Sequence, residues 1–467
     1  VKIAVFLDHD IVIRNFALGG AFAGIETAHD VTYVLPDPSF KRRVTIGPGT
    51  AKLRGKVKHL PILPKRHTVW SRLFHVHRMR WRKGPQAKYL RFSSRVAVGR
   101  FHAIQFTLLA LPGVFQLYRA FGDLRLAANP NVELERFLKD EKPDLIIHPT
   151  VMDGLFVNDV VEYGQRHSIP VFLLMNSWDN ISTLRYLHKL PTRLFVWGQQ
   201  TMEHARQYFG IAEPQVVRFG AAQFDIYRVP AATSRETYLR ANGLPLDKAI
   251  LMYAGSSKIL DEYSHLLVLE AWIAENPDKG VHVFYRPHPW GIGGKNGPRI
   301  LDHPWRHVTI DPSMVEYLER VRAGWDGVYL TDYGVMRDAL THVDAVVSPL
   351  STVIVEAAVM GKASMCYLPT EEDSISFKRV SPLQHFVPIY ESQDFITART
   401  QAEFLPNVEA LIERSRSPGI AQHMRKAASF FADSFAESYS TRLLAYVDAF
   451  FVRAGGSKGG PKTGGGS

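Results

Sequence analysis

Val281-His282-Val283-Phe284-Tyr285-Arg286-Pro287-His288-Pro289 is an apolar run that stops abruptly against two prolines. Its first five residues read as a buried strand. Neither proline can continue a ladder, so Arg286 and His288 are expected on a stiff turn at the strand's carboxyl end. Ligands of open α/β sheets bind at that edge. A second strand, Ala345-Val346-Val347-Ser348, breaks at Pro349, after which Ser351-Thr352 open a helix from Val353 to Met360 that stops at Gly361. Unbonded N–H groups at that helix start, with two hydroxyls beside them, suit an anionic phosphate. The plainer readings are Ser351 as an N-cap and His288 as a structural turn histidine. Glu356 sits within an almost wholly apolar helix, and the capping-box position after Ser351 holds Ile354 instead. A lone carboxylate there is costly to bury unless it is hydrogen-bonded, and the hydroxyls of a ribose diol are suitable partners.

Working outward, strands alternate with helical patterns on both sides, which argues for parallel sheets. Strands are expected at Val1–Leu7, Val31–Leu35, Asp144–His148, Val171–Met175, Leu194–Gly198, Val216–Phe219 and Ile250–Ala254. The first runs into Asp8-His9-Asp10, with Arg14 before Gly19-Gly20, and no G-x-G-x-x-G fingerprint follows. Asp10 capping the helix and pairing with Arg14 is the bland reading of that loop. Asp153 lies just after a strand and serves equally well as a helix N-cap. Asp179-Asn180 is another polar cluster at a strand end, with an Asx turn as its plain explanation. A general base needs only one carboxylate near the attacking hydroxyl, and Asp153, Asp179 and Asp10 are the candidates in that order. Ile250–Ala254 runs into Gly255-Ser256-Ser257, a second phosphate-capable loop or simply a tight turn. Gly291-Ile292-Gly293-Gly294-Lys295 lacks the Walker spacing, so an ATP loop is not supported.

This constellation resembles the C-terminal half of GT-B glycosyltransferases, especially bacterial surface-polysaccharide enzymes. The Arg286-Pro287-His288-Pro289 turn is similar to the His-Pro motif of bacterial sialyl- and Kdo-transferases and of teichoic-acid polyol-phosphate transferases. Ser348-Pro349-Leu350-Ser351-Thr352, then Glu356-Ala357 and Gly361-Lys362, resembles the Ser/Thr-containing nucleotide-binding segment of those families. The resemblance covers roughly residues 140 to 365. It implies an α/β GT-B fold, with two Rossmann-like domains whose parallel sheets face a central cleft. It places Asp8, His9 and Arg14 near the substrates, and Asp153-Gly154 resembles the acidic-Gly motif in which some bacterial sialyltransferases carry their base. Arg286, His288, Ser256, Ser257, Ser351 and Thr352 would then meet the donor phosphates, with Glu356 at the ribose. Asp8, Asp10, Arg14, Asp179 and Asn180 would line the acceptor side. No cofactor is expected beyond a nucleotide-activated sugar as donor substrate. No metal is expected either, because no metal-ligand cluster stands out; side chains and helix dipoles would steady a departing phosphate.

A chain of 467 residues exceeds what one core usually supports. The expected division is an acceptor domain at 1–225, a linker at 226–245, a nucleotide-donor domain at 246–435 and a closing helix at 436–454. Residues 455–467 are Gly, Ser, Lys and Pro with one Thr, and read as a linker or tag. Hydrophobic and charged contents of 46% and 22% are ordinary for a soluble globular enzyme. The single cysteine, Cys366, excludes an intrachain disulfide framework, and a reducing cytoplasm fits best. No run of about eighteen uncharged apolar residues appears, so no membrane span is expected. The opening residues read as a strand and not as a signal peptide.

The charge is unevenly spread. Between Asp37 and Asp123 there is no acidic residue, against nineteen Lys and Arg. The rest of the chain carries 37 basic residues and 45 acidic ones, so the positive charge is local. Within this segment, expected as an insertion at 38–122, Trp70, Phe74, Trp81, Tyr89 and Phe92 interleave with Arg72, Arg78, Arg80, Arg82, Lys83 and Arg91. That mixture suits an anionic membrane surface or an anionic glycolipid. A solvated face ranks second, and nucleic acid, for which no recognisable motif is present, ranks third. Phe101–Leu126 is helical in composition and is expected to break at Pro112-Gly113.

These readings combine into a glycosyltransferase moving a sugar from a nucleotide sugar to a glycan or lipid-linked acceptor. It would work in the cytoplasm, peripheral to the inner face of the membrane. The alternatives are a CDP-polyol phosphotransferase of the teichoic-acid type, a sugar-nucleotide 2-epimerase, and a nucleotide-binding scaffold without turnover.

Overall fold

The strands of the computed structural model form two wholly parallel sheets, one of seven and one of six. The structure describes residues 1–38, 46, 53–80, 98–150, 155–183, 187–256, 260–289, 297–325, 329–369 and 383–456. The first sheet contains β1 (Lys2–Phe6), β2 (Asp30–Pro36), β3 (Lys56–Leu60), β4 (Leu145–Thr150), β5 (Val171–Met175), β6 (Arg193–Val196) and β7 (Val216–Arg218), in the order β3-β2-β1-β4-β5-β6-β7. The second contains β8 (Ala249–Ala254), β9 (Val281–Arg286), β10 (Val308–Ile310), β11 (Ala345–Ser348), β12 (Ala363–Tyr367) and β13 (Ile396–Ala398), in the order β10-β9-β8-β11-β12-β13. Both orders reverse direction once, between β1 and β4 and between β8 and β11. That reversal opens a crevice at the carboxyl ends of the strands.

The strands are apolar on both faces because helices cover both faces. Successive side chains alternate between two cores. In the second sheet Leu251, Tyr253, Val283, Tyr285 and Val347 fill one side, while Ile250, Met252, Phe284 and Val346 fill the other. The first sheet divides in the same way, with Ile3 and Val5 on one side and Ala4 and Phe6 on the other. One of its cores continues into the second domain. Trp178, Ile181, Trp197 and Phe224 share a cluster with Leu350, Ile354, Val355 and Phe386. The last helix, Tyr439–Gly456, lies against the first sheet through Tyr439, Leu443 and Val447. It sits so close to Gly24 that a Cβ there would be 2.9 Å from the Ser440 carbonyl oxygen.

Part of the basic segment expected as an insertion at 38–122 belongs to the first sheet. Lys56–Leu60 is the edge strand of the first sheet, with lysines at Lys56 and Lys58 on its solvated length. Charged residues are a usual way of protecting such an edge. The helix Pro64–Arg80 then packs back on the domain. Arg66 is buried, ion-paired to Asp159 at 2.6 Å and Glu162 at 2.5 Å, and it donates to the carbonyls of Leu126 and Asn129. Trp70 donates its indole N–H to Asp159 across 2.8 Å. These two side chains are therefore part of the domain and not of a membrane face. Arg78 also requires correction: it is 4% exposed and its guanidinium lies over the Phe74 ring. Arg80 is exposed. Trp81, Arg82, Lys83, Tyr89, Arg91 and Phe92 lie outside the described residues.

The chain next forms two helices, Val98–Leu109 and Val114–Ala127, bent by 105° where Pro112-Gly113 interrupts them. No single described helix is long and apolar enough to cross a membrane.

Candidate functional site

At the second sheet's switch point, the β8 and β11 ends are tied together. The Ser348 hydroxyl donates to the Ala254 carbonyl at 2.7 Å, and the Gly255 N–H donates to the Arg286 carbonyl at 2.8 Å. Behind them lies Glu262, 2% exposed, which accepts from the Ser256 N–H at 2.8 Å and the Tyr285 hydroxyl at 2.6 Å. A Cβ at position 255 would stand 2.6 Å from Glu262 Oε2 and 2.9 Å from the His288 nitrogen. Glycine is what lets this turn and the Arg286–Pro289 turn pack back to back.

Two residues expected at the donor phosphate are occupied by the fold. Arg286 is ion-paired to buried Asp311 and also donates to Ser313 at 3.0 Å and Thr331 at 3.2 Å. It anchors the turn. Ser256 is wholly buried, and its hydroxyl donates to the Leu350 carbonyl at 3.3 Å. Ser257 lies outside the described residues. His288 stands half-buried at the exit of β9. Ser351 is 8% exposed and accepts weakly from the Val353 N–H at 3.4 Å. Thr352 accepts from the indole N–H of Trp178, delivered by the end of β5.

Across the cleft the structure brings Arg14 and Glu356 into one polar cluster. The guanidinium of Arg14 lies 4.0 Å from the centre of the Tyr333 ring. The Tyr333 hydroxyl donates to Asn15 at 2.7 Å, and Asn15 donates on to Asn176 at 2.9 Å. The Tyr227 hydroxyl donates to the Glu356 carboxylate. Burial raises the Glu356 pKa above the ordinary carboxylate value, while the Tyr227 hydrogen bond and the charges of Arg14 and Arg286 pull it back down. Among the described residues Tyr227 is the one hydrogen-bond donor to Glu356, although a carboxylate offers about four acceptor sites. The buried Nε of Arg14 has no hydrogen-bond partner among them.

The other expected site residues are placed differently. Asp8 is wholly buried, 3.4 Å from His148, and accepts from the N–H groups of Leu155 and Phe156 at the start of the next helix. Its place is inside the first switch point, not on the acceptor surface. His9 accepts from the Ile11 N–H at 3.1 Å, and Asp10 from the Ile46 N–H at 2.9 Å. Asn180 accepts from the Ser177 N–H at 2.8 Å, and Asp179 accepts from Asn180 at 3.4 Å, so this pair shapes its own turn. Asp153, first among the candidate bases, lies outside the described residues, as does the loop Gly291–Lys295. Among the described residues no three His, Cys, Asp or Glu side chains gather to hold a metal ion. An open groove lined by Pro143, Pro170, Pro191 and Phe450 lies at the amino ends of β4, β5 and β6, away from all of these residues.

Sequence reasoning missed Asn15, Tyr227 and Tyr333, which stand in no motif and acquire meaning only where the domains meet. Trp178 was in view within the Asn176–Asn180 cluster, but nothing there indicated its partner.

Two Rossmann-type sheets with their carboxyl ends turned toward one shared cleft define a GT-B fold. Solved structures of that fold match the chain from end to end. A Listeria monocytogenes protein assigned as a UDP-N-acetylglucosamine 2-epimerase has a TM-score of 0.53 at 11% identity, over 97% of this chain and 96% of its own. Staphylococcus aureus MnaA in complex with UDP has a TM-score of 0.51 at 12% identity, over 97% of each chain. The UDP-GlcNAc 2-epimerase of Neisseria meningitidis bound to UDP-GlcNAc has a TM-score of 0.50 at 10% identity, over 96% of this chain and all of its own. Identities this low establish the fold. No protein-family model matches the chain, and no curated protein matches it by sequence.

Proposed function

We propose that this chain is a glycosyltransferase that moves a sugar from a nucleotide-activated donor to a surface-glycan or glycolipid acceptor. One observation carries the donor half of that reading. Among the described residues Glu356 keeps acceptor capacity to spare and the buried Nε of Arg14 has no hydrogen-bond partner, within one interdomain cluster. A ligand that satisfies both presents hydroxyls to the carboxylate and an anion to the guanidinium. A nucleoside diphosphate sugar has both parts. His288, after the end of β9, and Ser351, ahead of the helix that carries Glu356, are the further candidates for contact with the anion. The transfer half is supported by the resemblance of the Arg286–Pro289 turn and the Ser348–Gly361 segment to surface-polysaccharide transferases.

A sugar-nucleotide 2-epimerase is the second reading, because the solved structures of like fold named above are 2-epimerases or hold UDP. The two differ in their need for an acceptor. A thermal-shift panel of UDP, CMP, GDP, CDP and their sugars identifies the donor, since a ligand of the native state raises Tm by mass action. Nucleotide release is then followed with and without an extracted glycolipid fraction. Release that depends on the acceptor supports transfer. Acceptor-free interconversion of the sugar would replace it with epimerisation, and no shift with any nucleotide would overturn both.

A further inference from the structure

We infer that the bent helix pair Val98–Leu109 and Val114–Ala127 is an anchor that lies in the headgroup region of an anionic membrane. Each helix is apolar on two opposite faces. Ala103, Phe106 and Ala110 are buried against Val76 and Met79 of the preceding helix, as is Phe115 of the second helix. Opposite them, at helical spacing, Phe101, Ile104 and Leu108 are 77%, 60% and 59% exposed. On the second helix Leu117, Phe121 and Leu124 are 74%, 54% and 70% exposed, again opposite the buried Phe115 and Leu126. A surface helix in water ordinarily carries polar residues on its outer face. Exposed apolar side chains grouped in this way mark an interaction surface.

The charge selects the occupant. No Asp or Glu occurs from residue 38 to residue 122, Asp123 on the second helix is paired to His188, and Arg100 and Arg125 are exposed on the helices themselves. Apolar residues that enter the acyl boundary while basic ones meet the headgroups match an anionic leaflet. Neither helix is long enough to span a bilayer by itself, and the 105° bend keeps the pair from forming one straight span. The second helix has 14 residues, about 21 Å at roughly 1.5 Å each, short of a hydrocarbon core of about 30 Å. The surface differs from the one expected from the sequence, which centred on residues 78–83, where Arg78 is buried. The inference stands independently of the donor reading, and its test uses no nucleotide.

The full chain is sedimented with vesicles of phosphatidylcholine containing phosphatidylglycerol, and with phosphatidylcholine alone. Binding to the anionic vesicles that weakens as salt rises is expected. Phe101→Ser, Leu117→Ser and Phe121→Ser combined should lower that binding at least roughly tenfold with an unchanged far-UV spectrum. A second measurement does not depend on that variant folding. The single native cysteine, Cys366, is buried, so Leu117→Cys takes an environment-sensitive fluorophore selectively. Its emission should shift to the blue on adding anionic vesicles. No binding, equal binding by the triple variant, or an unmoved fluorophore would each overturn the proposal. So would a lipid-free dimer that the triple variant converts to monomer, since the face would then belong to a second copy of the chain.

Discussion

The indole N–H of Trp178, at the end of β5 in the first domain, donates to the hydroxyl of Thr352 in the second across 3.2 Å. Trp178 is 1% exposed and lies edge-on to His385, Phe386 and Phe431. The two domains are therefore fastened beside the helix that carries Glu356. Trp178→Phe keeps an aromatic ring and removes the donor, and should cost about 1 kcal/mol. Trp178→Ala should cost about 3–5 kcal/mol, because it also leaves a cavity. Urea titration of both variants checks the ordering, and a null effect in Trp178→Phe would make the bond incidental.

Glu356→Ala and Arg14→Ala address the two halves of the proposed donor site. Both should weaken nucleotide binding by calorimetry; in Glu356→Ala turnover at saturating donor should fall less, because ribose contacts change little during transfer, whereas Arg14→Ala, which loses a contact to the anion, should lower turnover as well. Glu356→Ala also leaves the Tyr227 hydroxyl without its acceptor, a cost of about 1–3 kcal/mol. Pairing it with Tyr227→Phe should recover part of that stability without recovering affinity. Full affinity in Glu356→Ala would remove the ribose assignment.

His288→Ala should act in the opposite sense, lowering kcat more than it raises the donor KM. A group that stabilises charge developing on the departing phosphate shows its value in turnover. The expected loss is about a hundred- to thousandfold in kcat. Gly255→Ala is the companion variant, since its Cβ would drive into Glu262 and the His288 backbone. It should reproduce the kcat loss by moving the turn, together with a stability loss of about 1–3 kcal/mol. A folded His288→Ala enzyme with normal turnover would leave His288 as a turn residue.

Acidification should destabilise the protein through His204. Burial lowers its pKa from 6.5 to about 4. The unfolded chain therefore takes up a proton as pH falls through 6.5, while the folded one resists until about 4. Stability present above pH 6.5 is lost across that window and levels off below it, at no more than about 3.4 kcal/mol from this group. Denaturation midpoints at pH 7 and pH 5, compared between the native chain and His204→Phe, measure the share. An identical pH dependence in both would assign the loss elsewhere.

Most strands of both sheets were legible because a parallel strand buried on two faces is an unbroken apolar run. Val281–Arg286, Val171–Met175 and Ala345–Ser348 stand out in one dimension, and prolines or polar clusters mark their carboxyl ends. The strand Lys56–Leu60 was hidden because an edge strand pairs through its backbone while its side chains remain polar. Val308–Ile310 and Ile396–Ala398, three residues each, are too short to show a period.

Local sequence thus displays the alternating strands and helices directly, and it offers Arg14, His288, Ser351 and Glu356 as candidates only. Only the tertiary structure decided what each polar group faces. Arg286 reads as a ligand contact until Asp311, on a different element, neutralises it; Asp8 reads as a cleft residue until Leu155 and Phe156 present their N–H groups to it. Tyr227 and Glu356 are 129 residues apart and meet only because the domains do. Hydrophobic periodicity is a property of neighbours along the chain, so a sequence displays it directly. The pairing of a buried charge is settled by whichever donors the fold brings within about 3 Å, and that distance is written nowhere in the order of the residues.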